Sequence, residues 1–140
     1  MLNLVNLFKS AKNAETYAAG QVIFQEGQPG EVMYVMLEGE VEVVYQDTVL
    51  ETIGPGAIIG EMALLESPSQ YLRTATARAK TTCKLVPVGQ KQFTFLVHET
   101  PNFALHVMRV LAERLRKRTI AKIMLALQAD IPGAAGSPPS

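Results

Sequence analysis

Glycines are distributed very unevenly along this chain, and their positions constrain its fold more than any other feature. Seven of the ten glycines lie between Gly20 and Gly60, separated by short apolar stretches. Two of the interruptions, Gly27-Gln28-Pro29-Gly30 and Gly54-Pro55-Gly56, combine glycine with proline. Proline fixes φ and glycine permits positive φ, so both are turn signals. Short strands broken by turns are typical of a β-sandwich or barrel, which we expect over residues 15–88.

Polarity alternates in the middle of this region. Val41, Val43 and Tyr45 are separated by single residues, and polar side chains flank them. Successive side chains of a strand point to opposite faces, so the pattern predicts a strand with these three residues on its buried face. A later apolar run, Lys84-Leu85-Val86-Pro87-Val88, predicts the strand that closes the sheet.

The periodicity becomes helical over residues 89–128. The pattern predicts a short helix from Gln90 to His98, and Pro101 suits the first turn of a longer helix with Thr100 as its cap. An apolar stripe recurs there at steps of three and four residues, formed by Leu105, Met108, Leu111, Ala112 and Leu115. We expect this helix to end near Gln128, followed by a disordered tail over residues 129–140 that is rich in proline, glycine and serine.

Composition indicates a globular domain and argues against several classes of function. Hydrophobic residues make up 48% of the chain, and its formal net charge is zero, whereas a nucleic-acid surface needs a basic excess. No apolar run approaches the roughly 20 residues that span a bilayer, and the N-terminus lacks a basic leader before a long apolar core. We therefore expect a cytoplasmic protein. Its single cysteine, Cys83, lies in an apolar run and is expected to be buried.

Two short motifs carry residue types that suit a sugar phosphate. They are Gly60-Glu61-Met62-Ala63-Leu64 and Arg73-Thr74-Ala75-Thr76-Ala77. Free N–H groups at a helix start favour an anion, and the planar donor fork of arginine matches phosphate oxygens. A carboxylate accepts hydrogen bonds from ribose hydroxyls but repels a phosphate. We therefore expect Glu61 and Arg73 to bind different ends of one ligand.

The ordered series of glycines and motifs resembles the cyclic nucleotide-binding domain family, to which the sensor domain of the bacterial catabolite activator also belongs. The resemblance extends over roughly residues 15–120 and includes Gly20-x-x-Ile23-Phe24-x-x-Gly27-x-x-Gly30, the run from Met33 to Gly39, Ile53-Gly54-Pro55-Gly56 and the two motifs above. It implies a mainly β fold with flanking helices. The β part would be a double-stranded β-helix, or jelly-roll-like β-roll, of about eight antiparallel strands, with N-terminal helical turns over residues 1–14 and a long C-terminal helix.

The resemblance also implies a binding site for cAMP, with cGMP as the second candidate, in a phosphate-binding cassette over residues 60–77. In the family, the arginine matching Arg73 pairs with the cyclic phosphate, and the glutamate matching Glu61 holds the ribose 2′-hydroxyl. The hydroxyl of Thr74 would also reach the phosphate. The full set of ligand-binding residues implied for the cassette is Gly60, Glu61, Met62, Ala63, Arg73, Thr74 and Ala75.

The long helix is where the resemblance places the contact with the base. Arg118 and Thr119 align with the family's base-contacting hydroxyls; Thr119 matches one, and Arg118 would stack on a purine instead. Both residues also suit an exposed helix surface. Leu111 and Leu115 are expected to be buried, either within the domain or against the same helix of a second subunit, because the family dimerises through this helix.

One departure from the family pattern lies between the two motifs, where Gln70-Tyr71-Leu72 lengthens the link to Arg73. Three outcomes follow from it. The loop bulges and leaves Arg73 in place, or it displaces Arg73, or Tyr71 covers the ligand. The alternation of Thr74-Ala75-Thr76-Ala77 predicts a strand directly after Arg73. Because a strand fixes the face to which each side chain points, this pattern favours the first outcome.

No residue pattern indicates catalysis. His98 and His106 are the only histidines, and both follow the predicted strands, so they do not build the metal centre of a cupin-type enzyme. No nucleophile in a recognisable setting and no Walker-type loop is present. We expect a stand-alone regulatory module, not an enzyme, that binds no metal, membrane or DNA and signals to an unknown effector protein. Two alternatives stay open. One is a dimerisation scaffold that binds no nucleotide, and the other is a truncated DNA-binding regulator. The residues after 128 cannot form a helix-turn-helix, so DNA binding is expected only if the chain is a fragment of a longer protein.

Overall fold

The computed structural model describes residues 3–65 and 71–130 of the chain. Helices flank a set of short strands, as the glycine distribution predicts. In chain order the elements are α1 (Leu4–Phe8), β1 (Glu15–Tyr17), β2 (Val22–Phe24), β3 (Val32–Glu38), β4 (Val41–Tyr45), β5 (Thr48–Ile53), β6 (Ile58–Ile59), α2 (Met62–Leu65), β7 (Thr76–Ala79), β8 (Cys83–Gly89), α3 (Gln90–Glu99) and α4 (Pro101–Asp130).

The strands form two antiparallel sheets of four. Their spatial orders are β1-β8-β3-β6 and β2-β7-β4-β5. Successive strands along the chain therefore change sheet several times, as they do when a β-ribbon is rolled up into a jelly roll. This arrangement, followed by the long helix α4, confirms the predicted β-roll.

The apolar core lies between the two sheets. Its buried members are Tyr34, Met36, Val41, Ile59, Ala77, Ala79, Cys83 and Leu85. Strand β3 is buried over five consecutive residues because α1 and α2 pack against it as well. The prediction that Cys83 is buried is confirmed, and burial raises the pKa of its thiol.

The predicted buried face of β4 is wrong at its C-terminal end. Val41 and Val44 are buried, whereas Val43 is half-buried and Tyr45 is 43% exposed. The register with β5 shifts between Val43 and Val44, and such an irregularity bends and twists a strand pair locally. The chain then reverses through two residues with positive φ, Gln46 at 47° and Asp47 at 67°, which suits a two-residue hairpin.

The two predicted C-terminal helices are present and are separated at Thr100. Its N–H donates to the carbonyl of Leu96, and its own carbonyl accepts from the N–H of Phe103, both at 2.8 Å. The chain divides into two compact units between Phe95 and Leu96, so that α4 belongs to the second. Leu115 is 67% exposed, which contradicts the intrachain alternative for its burial. Residues 131–140, most of the predicted tail, lie outside the described residues.

None of the helices within the described ranges combines the length and the apolar character that a membrane span requires.

Candidate functional site

Arg73 is a charged residue with only 5% of its surface exposed. Its Nη1 donates to the carbonyl of Gly60 at 3.1 Å, and its Nη2 donates to the carbonyl of Val32 at 2.7 Å. Strands β3 and β6 pair antiparallel, so the start of β3 and the end of β6 meet at one edge of their sheet. The guanidinium therefore bridges two chain segments that the sheet has already brought together.

An aromatic platform supports the same guanidinium. The Cζ atom of Arg73 lies 4.1 Å from the centroid of the Phe24 ring, a geometry that gives a favourable cation–π interaction. Phe24 in turn stacks on Tyr34, with 6.1 Å between ring centroids. Tyr34 belongs to the core, so the position of Arg73 is tied to the interior of the β-roll.

Two glycines leave the space that the Arg73 side chain occupies. A Cβ atom at Gly30 would lie 2.5 Å from Nε of Arg73, and one at Gly60 would lie 2.6 Å from Nη1. Gly60 also has a φ of +73°, which side-chain-bearing residues rarely adopt. Any larger residue at either position has to displace the guanidinium.

The backbone of Arg73 is held by the turn between β2 and β3. The N–H of Arg73 donates to the carbonyl of Gln28, and the N–H of Gly27 donates to the carbonyl of Arg73, both at 2.8 Å. Pro29 and Leu72 form an antiparallel bridge beside them. Of the three outcomes for the lengthened loop, this pairing supports the one that keeps Arg73 in place. Residues 66–70 of that loop lie outside the described residues.

The electrostatic surroundings of Arg73 are those of a buried cation with unused donor capacity. Burial lowers the pKa of Arg73, while the charges of Tyr34, Tyr71 and Glu61 act in the opposite direction. Its Nε is buried and has no hydrogen-bond partner among the described residues. Arginine presents five N–H donors, and a buried donor without a partner carries a cost in desolvation that a hydrogen-bond acceptor would offset.

The other cassette residues differ in their exposure and contacts. Glu61 is 9% exposed, at the turn that joins β6 to α2. Ala63 is buried, and its N–H donates to the carbonyl of Gly60 at 3.2 Å, so this predicted donor is used within the turn. Met62 is exposed, and Thr74 and Ala75 follow Arg73, with Thr74 exposed and Ala75 half-buried. The structure thus brings Gly60, Glu61 and Arg73 together.

The predicted base contacts lie on the other unit. Arg118 and Thr119 are both exposed on α4 and are described with that unit. In the first unit, the structure adds three residues to the site that the sequence analysis did not assign to it: Phe24, Gly30 and Val32. Phe24 and Gly30 stand in the glycine series at positions that the resemblance includes. Val32 contributes only a backbone carbonyl, which no side-chain pattern could have indicated.

An open cavity of about 680 Å³ adjoins the Arg73 group. It is lined by Glu31 and Val32, by Ala63 and Leu64 of α2, by Gly89 at the end of β8, and by residues 90–92 at the start of α3. Its size falls within the range of small-molecule sites. Ala63 and Leu64 belong to the cassette, whereas neither Arg73 nor Glu61 is among the residues that line the cavity.

Metal chemistry has no support in the part of the chain that the structure describes. Across residues 3–65 and 71–130, no group of three or more histidine, cysteine, aspartate or glutamate residues is placed to hold a metal ion.

Comparison with known proteins gives a consistent picture. The family model for the cyclic nucleotide-binding domain matches residues 14–100. A cyclic nucleotide-gated potassium channel of Mesorhizobium japonicum is 38% identical over 94 residues, covering 67% of this chain and 25% of the channel. The cAMP-activated global transcriptional regulator CRP of Salmonella typhimurium is 27% identical over 114 residues, covering 78% of this chain and 53% of the regulator. The chain thus spans a quarter to a half of the length of these relatives.

Solved structures agree with the sequence relatives. The catabolite activator protein of Thermus thermophilus superposes with a TM-score of 0.75 at 28% identity, covering 89% of this chain and 59% of that one. A protein described in connection with a cyclic-GMP-dependent signalling pathway that regulates bacterial phytopathogenesis superposes with a TM-score of 0.70 at 27% identity. In that case the match covers 84% of this chain and 95% of the other.

Proposed function

This chain belongs to the cyclic nucleotide-binding domain family, and from that premise we propose that it is a regulatory receptor for cAMP, with cGMP as the second candidate. The single observation that carries the proposal is the state of Arg73. A buried guanidinium with an unpartnered Nε, fixed by an aromatic ring and two glycines, is a preorganised anion site. Preorganisation lowers the cost of binding because the side chain is already ordered.

The cassette residues suit the parts of a cyclic nucleotide. We assign the cyclic phosphate to Arg73, with the backbone of residues 60–63 and the hydroxyl of Thr74 beside it, and the ribose 2′-hydroxyl to Glu61. Ala75 leaves room next to the phosphate because its side chain is small. Phosphate and carboxylate then face different ends of the ligand, which avoids repulsion between like charges.

The signal would pass through α4. In this proposal the base meets Arg118 and Thr119, and binding draws α4 over the ligand. A ligand shifts such an equilibrium only by its different affinity for the two positions of the helix. We also propose a homodimer through the apolar stripe that includes Met108 and Leu115, both exposed in the single chain.

The relatives support a regulator in preference to an enzyme. Their names describe a channel gated by a cyclic nucleotide and a transcriptional regulator activated by cAMP. Those proteins join the domain to further parts, so we propose that this domain also acts on an effector, whose identity stays open. Cytoplasmic localisation stays a prediction.

The role of Glu61 gives a testable consequence. Glu61→Gln keeps the size of the side chain but removes its charge, and a hydrogen bond to a charged acceptor contributes about 1.5–3 kcal/mol. We expect the mutant to bind cAMP at least about tenfold more weakly, measured by titration calorimetry. With 2′-deoxy-cAMP, which lacks the proposed partner, wild type and mutant should bind alike. A mutant penalty of the same size for both ligands would contradict the assignment.

One observation favours the alternative of a scaffold without nucleotide. Two carbonyls, those of Gly60 and Val32, already accept hydrogen bonds from the Arg73 fork. In a scaffold, these two hydrogen bonds would only stabilise the fold. The third alternative, a DNA-binding regulator of which this chain is a part, would be supported by a reading frame that continues beyond Ser140.

Thermal unfolding distinguishes the receptor from the scaffold. A ligand that binds only the folded state at about 100 times its dissociation constant adds about 2.7 kcal/mol of stability. For a chain of this size that corresponds to a rise of several degrees in Tm. We expect such a rise with cAMP, and a smaller or equal one with cGMP. A well-folded sample whose Tm moves with neither nucleotide would favour the scaffold.

A further inference from the structure

Helix α4 carries two separate exposed apolar faces. The first face is the stripe of Leu105, Met108, Leu111, Ala112 and Leu115, in which the large side chains at 105, 108 and 115 are exposed. The second face consists of Ile120, Ile123, Met124 and Leu127, each at least half exposed. Leu125 is also exposed and lies two heptads after Leu111, in line with the first face in a supercoiled helix pair. Contiguous apolar groups exposed on one side of a helix mark an interaction site.

The two faces point in different directions. An α-helix turns by about 100° per residue, which places the centre of the second face about 100° around the axis from the centre of the first. In a supercoiled helix pair the seam moves by only about 20° per heptad, or about 40° over the two heptads concerned. One partner helix therefore cannot cover both faces. If the homodimer uses the first face, the second is left for a different partner.

The charge of this part of α4 indicates the kind of partner. Residues 114–128 contain five basic side chains and no aspartate or glutamate, of which Arg114, Arg118 and Lys122 lie on the side of α4 away from the second face. Arg116 and Lys117 flank the second face on the helical wheel. Lys117 also pairs with Glu113 at 3.3 Å, but both side chains are exposed, and an exposed pair contributes only about 0–1 kcal/mol. A complementary partner carries an acidic rim around an apolar stripe.

The side chains of the second face favour a helix over a lipid surface. Residues 104–128 contain no phenylalanine, tyrosine or tryptophan. Helices that lie in a membrane interface usually combine a basic face with tryptophan or phenylalanine. Isoleucine, methionine and leucine at spacings of three and four residues are instead the side chains that interdigitate between packed helices.

We propose that the second face of α4 binds an acidic amphipathic helix of the effector protein, beside and independent of the homodimer seam. The inference rests on the proposed function only in assigning the first face to the homodimer. It gives the receptor an output surface on the same helix that we propose to move with the ligand. The recognition is apolar at its centre and electrostatic at its rim, so we expect it to weaken as salt is added.

Designed peptides test the proposal with the complete chain. The probe is a fluorescent three-heptad peptide with isoleucine and leucine at a and d and glutamate at e and g, and the control peptide carries lysine at e and g. We expect saturable binding of the acidic peptide, and binding at least about tenfold weaker for the lysine peptide, by fluorescence anisotropy. Equal binding of both peptides would overturn the charge argument.

Paired variants locate the surface. Ile120→Gln with Met124→Gln should reduce binding of the acidic peptide at least about tenfold and leave the dimer intact in sedimentation equilibrium. Leu105→Gln with Met108→Gln is the matched control, and it should weaken the dimer and leave peptide binding unchanged. Glutamine keeps helix propensity in both pairs. The proposal is overturned if the first pair leaves peptide binding unchanged or dissociates the dimer. It is also overturned if wild type binds phosphatidylserine vesicles and the first pair abolishes that binding.

Nucleotide titration of the same variants separates this inference from the proposed function. The variant pair at 120 and 124 should bind cAMP as wild type does. If wild type binds no nucleotide but still binds the acidic peptide through the second face, the receptor proposal fails and the docking surface stands.

Discussion

Replacing Arg73 with alanine is expected to abolish most of the affinity for cyclic nucleotides. Removing one partner of a sheltered, hydrogen-bonded charge pair costs about 2–5 kcal/mol, which means at least about thirty-fold weaker binding. The loss should exceed that of any other single substitution in the cassette, because Arg73 supplies the buried donor that lacks a partner in the described structure. Titration calorimetry, run well below the Tm of both proteins, measures it.

Two further variants make the Arg73 result specific. Arg78→Ala removes another arginine close by in sequence, whose Nη2 lies 3.1 Å from Glu42 in a partly exposed ion pair. Exposed pairs contribute about 0–1 kcal/mol, so this variant should bind nucleotide as wild type does. Arg73→Lys keeps the charge but loses the planar fork, and it should recover only part of the affinity. Binding by Arg73→Ala equal to that of Arg78→Ala would contradict the phosphate assignment.

Gly30→Ala is expected to disable the site without touching the ligand. The added Cβ would stand 2.5 Å from Nε and 2.6 Å from Cζ of Arg73, so the guanidinium must leave its position on Phe24. The backbone of Gly30 itself is not in the left-handed region, and alanine adds no strain there. We expect cAMP binding to fall at least about tenfold, because a shift of about 1 Å at a positioned group has that order of effect.

Gly27→Ala is the matched control for this substitution. Gly27 lies in the same turn and has a φ of +86°, but a Cβ there would meet nothing within 4 Å. Left-handed backbone costs about 1–2 kcal/mol in a residue with a side chain, so Tm should fall while nucleotide affinity is kept. Gly30→Ala should therefore lower the affinity for cAMP, whereas Gly27→Ala should lower only the Tm. Normal affinity in a folded Gly30→Ala protein would show that the guanidinium does not need its observed position.

Much of the fold follows from local features of the sequence. Glycine and proline mark the turns by backbone preferences that operate within a few residues, which is why the short strands of residues 15–88 and the boundary at Pro101 were predictable. The β-roll itself was implied by the resemblance to the family. The exception in β4 arises from pairing. The side on which Val43 and Tyr45 lie depends on the register shift between β4 and β5. The alternation of polarity within β4 alone carries no information about how β4 pairs with β5.

The candidate site was predictable only in part, for a related reason. Glu61 and Arg73 could be singled out because their side chains carry distinctive chemistry. The platform of Phe24 on Tyr34, and the pairing of Pro29 with Leu72, depend on contacts between segments far apart in the chain. Val32 takes part through its backbone carbonyl, for which every residue type is equivalent. The second face of α4 shows the same limit, since the sequence displays the apolar residues but their exposure becomes known only from the structure.

The central claim is that Arg73 holds a cyclic phosphate in this chain. Titration calorimetry of the wild-type protein with cAMP and with cGMP tests it most directly, because it reports stoichiometry as well as affinity. We expect saturable binding of one nucleotide per chain, lost when 5′-AMP, which has no cyclic phosphate, replaces cAMP. Absence of heat with both cyclic nucleotides at two temperatures, in a sample shown to be folded, would contradict it.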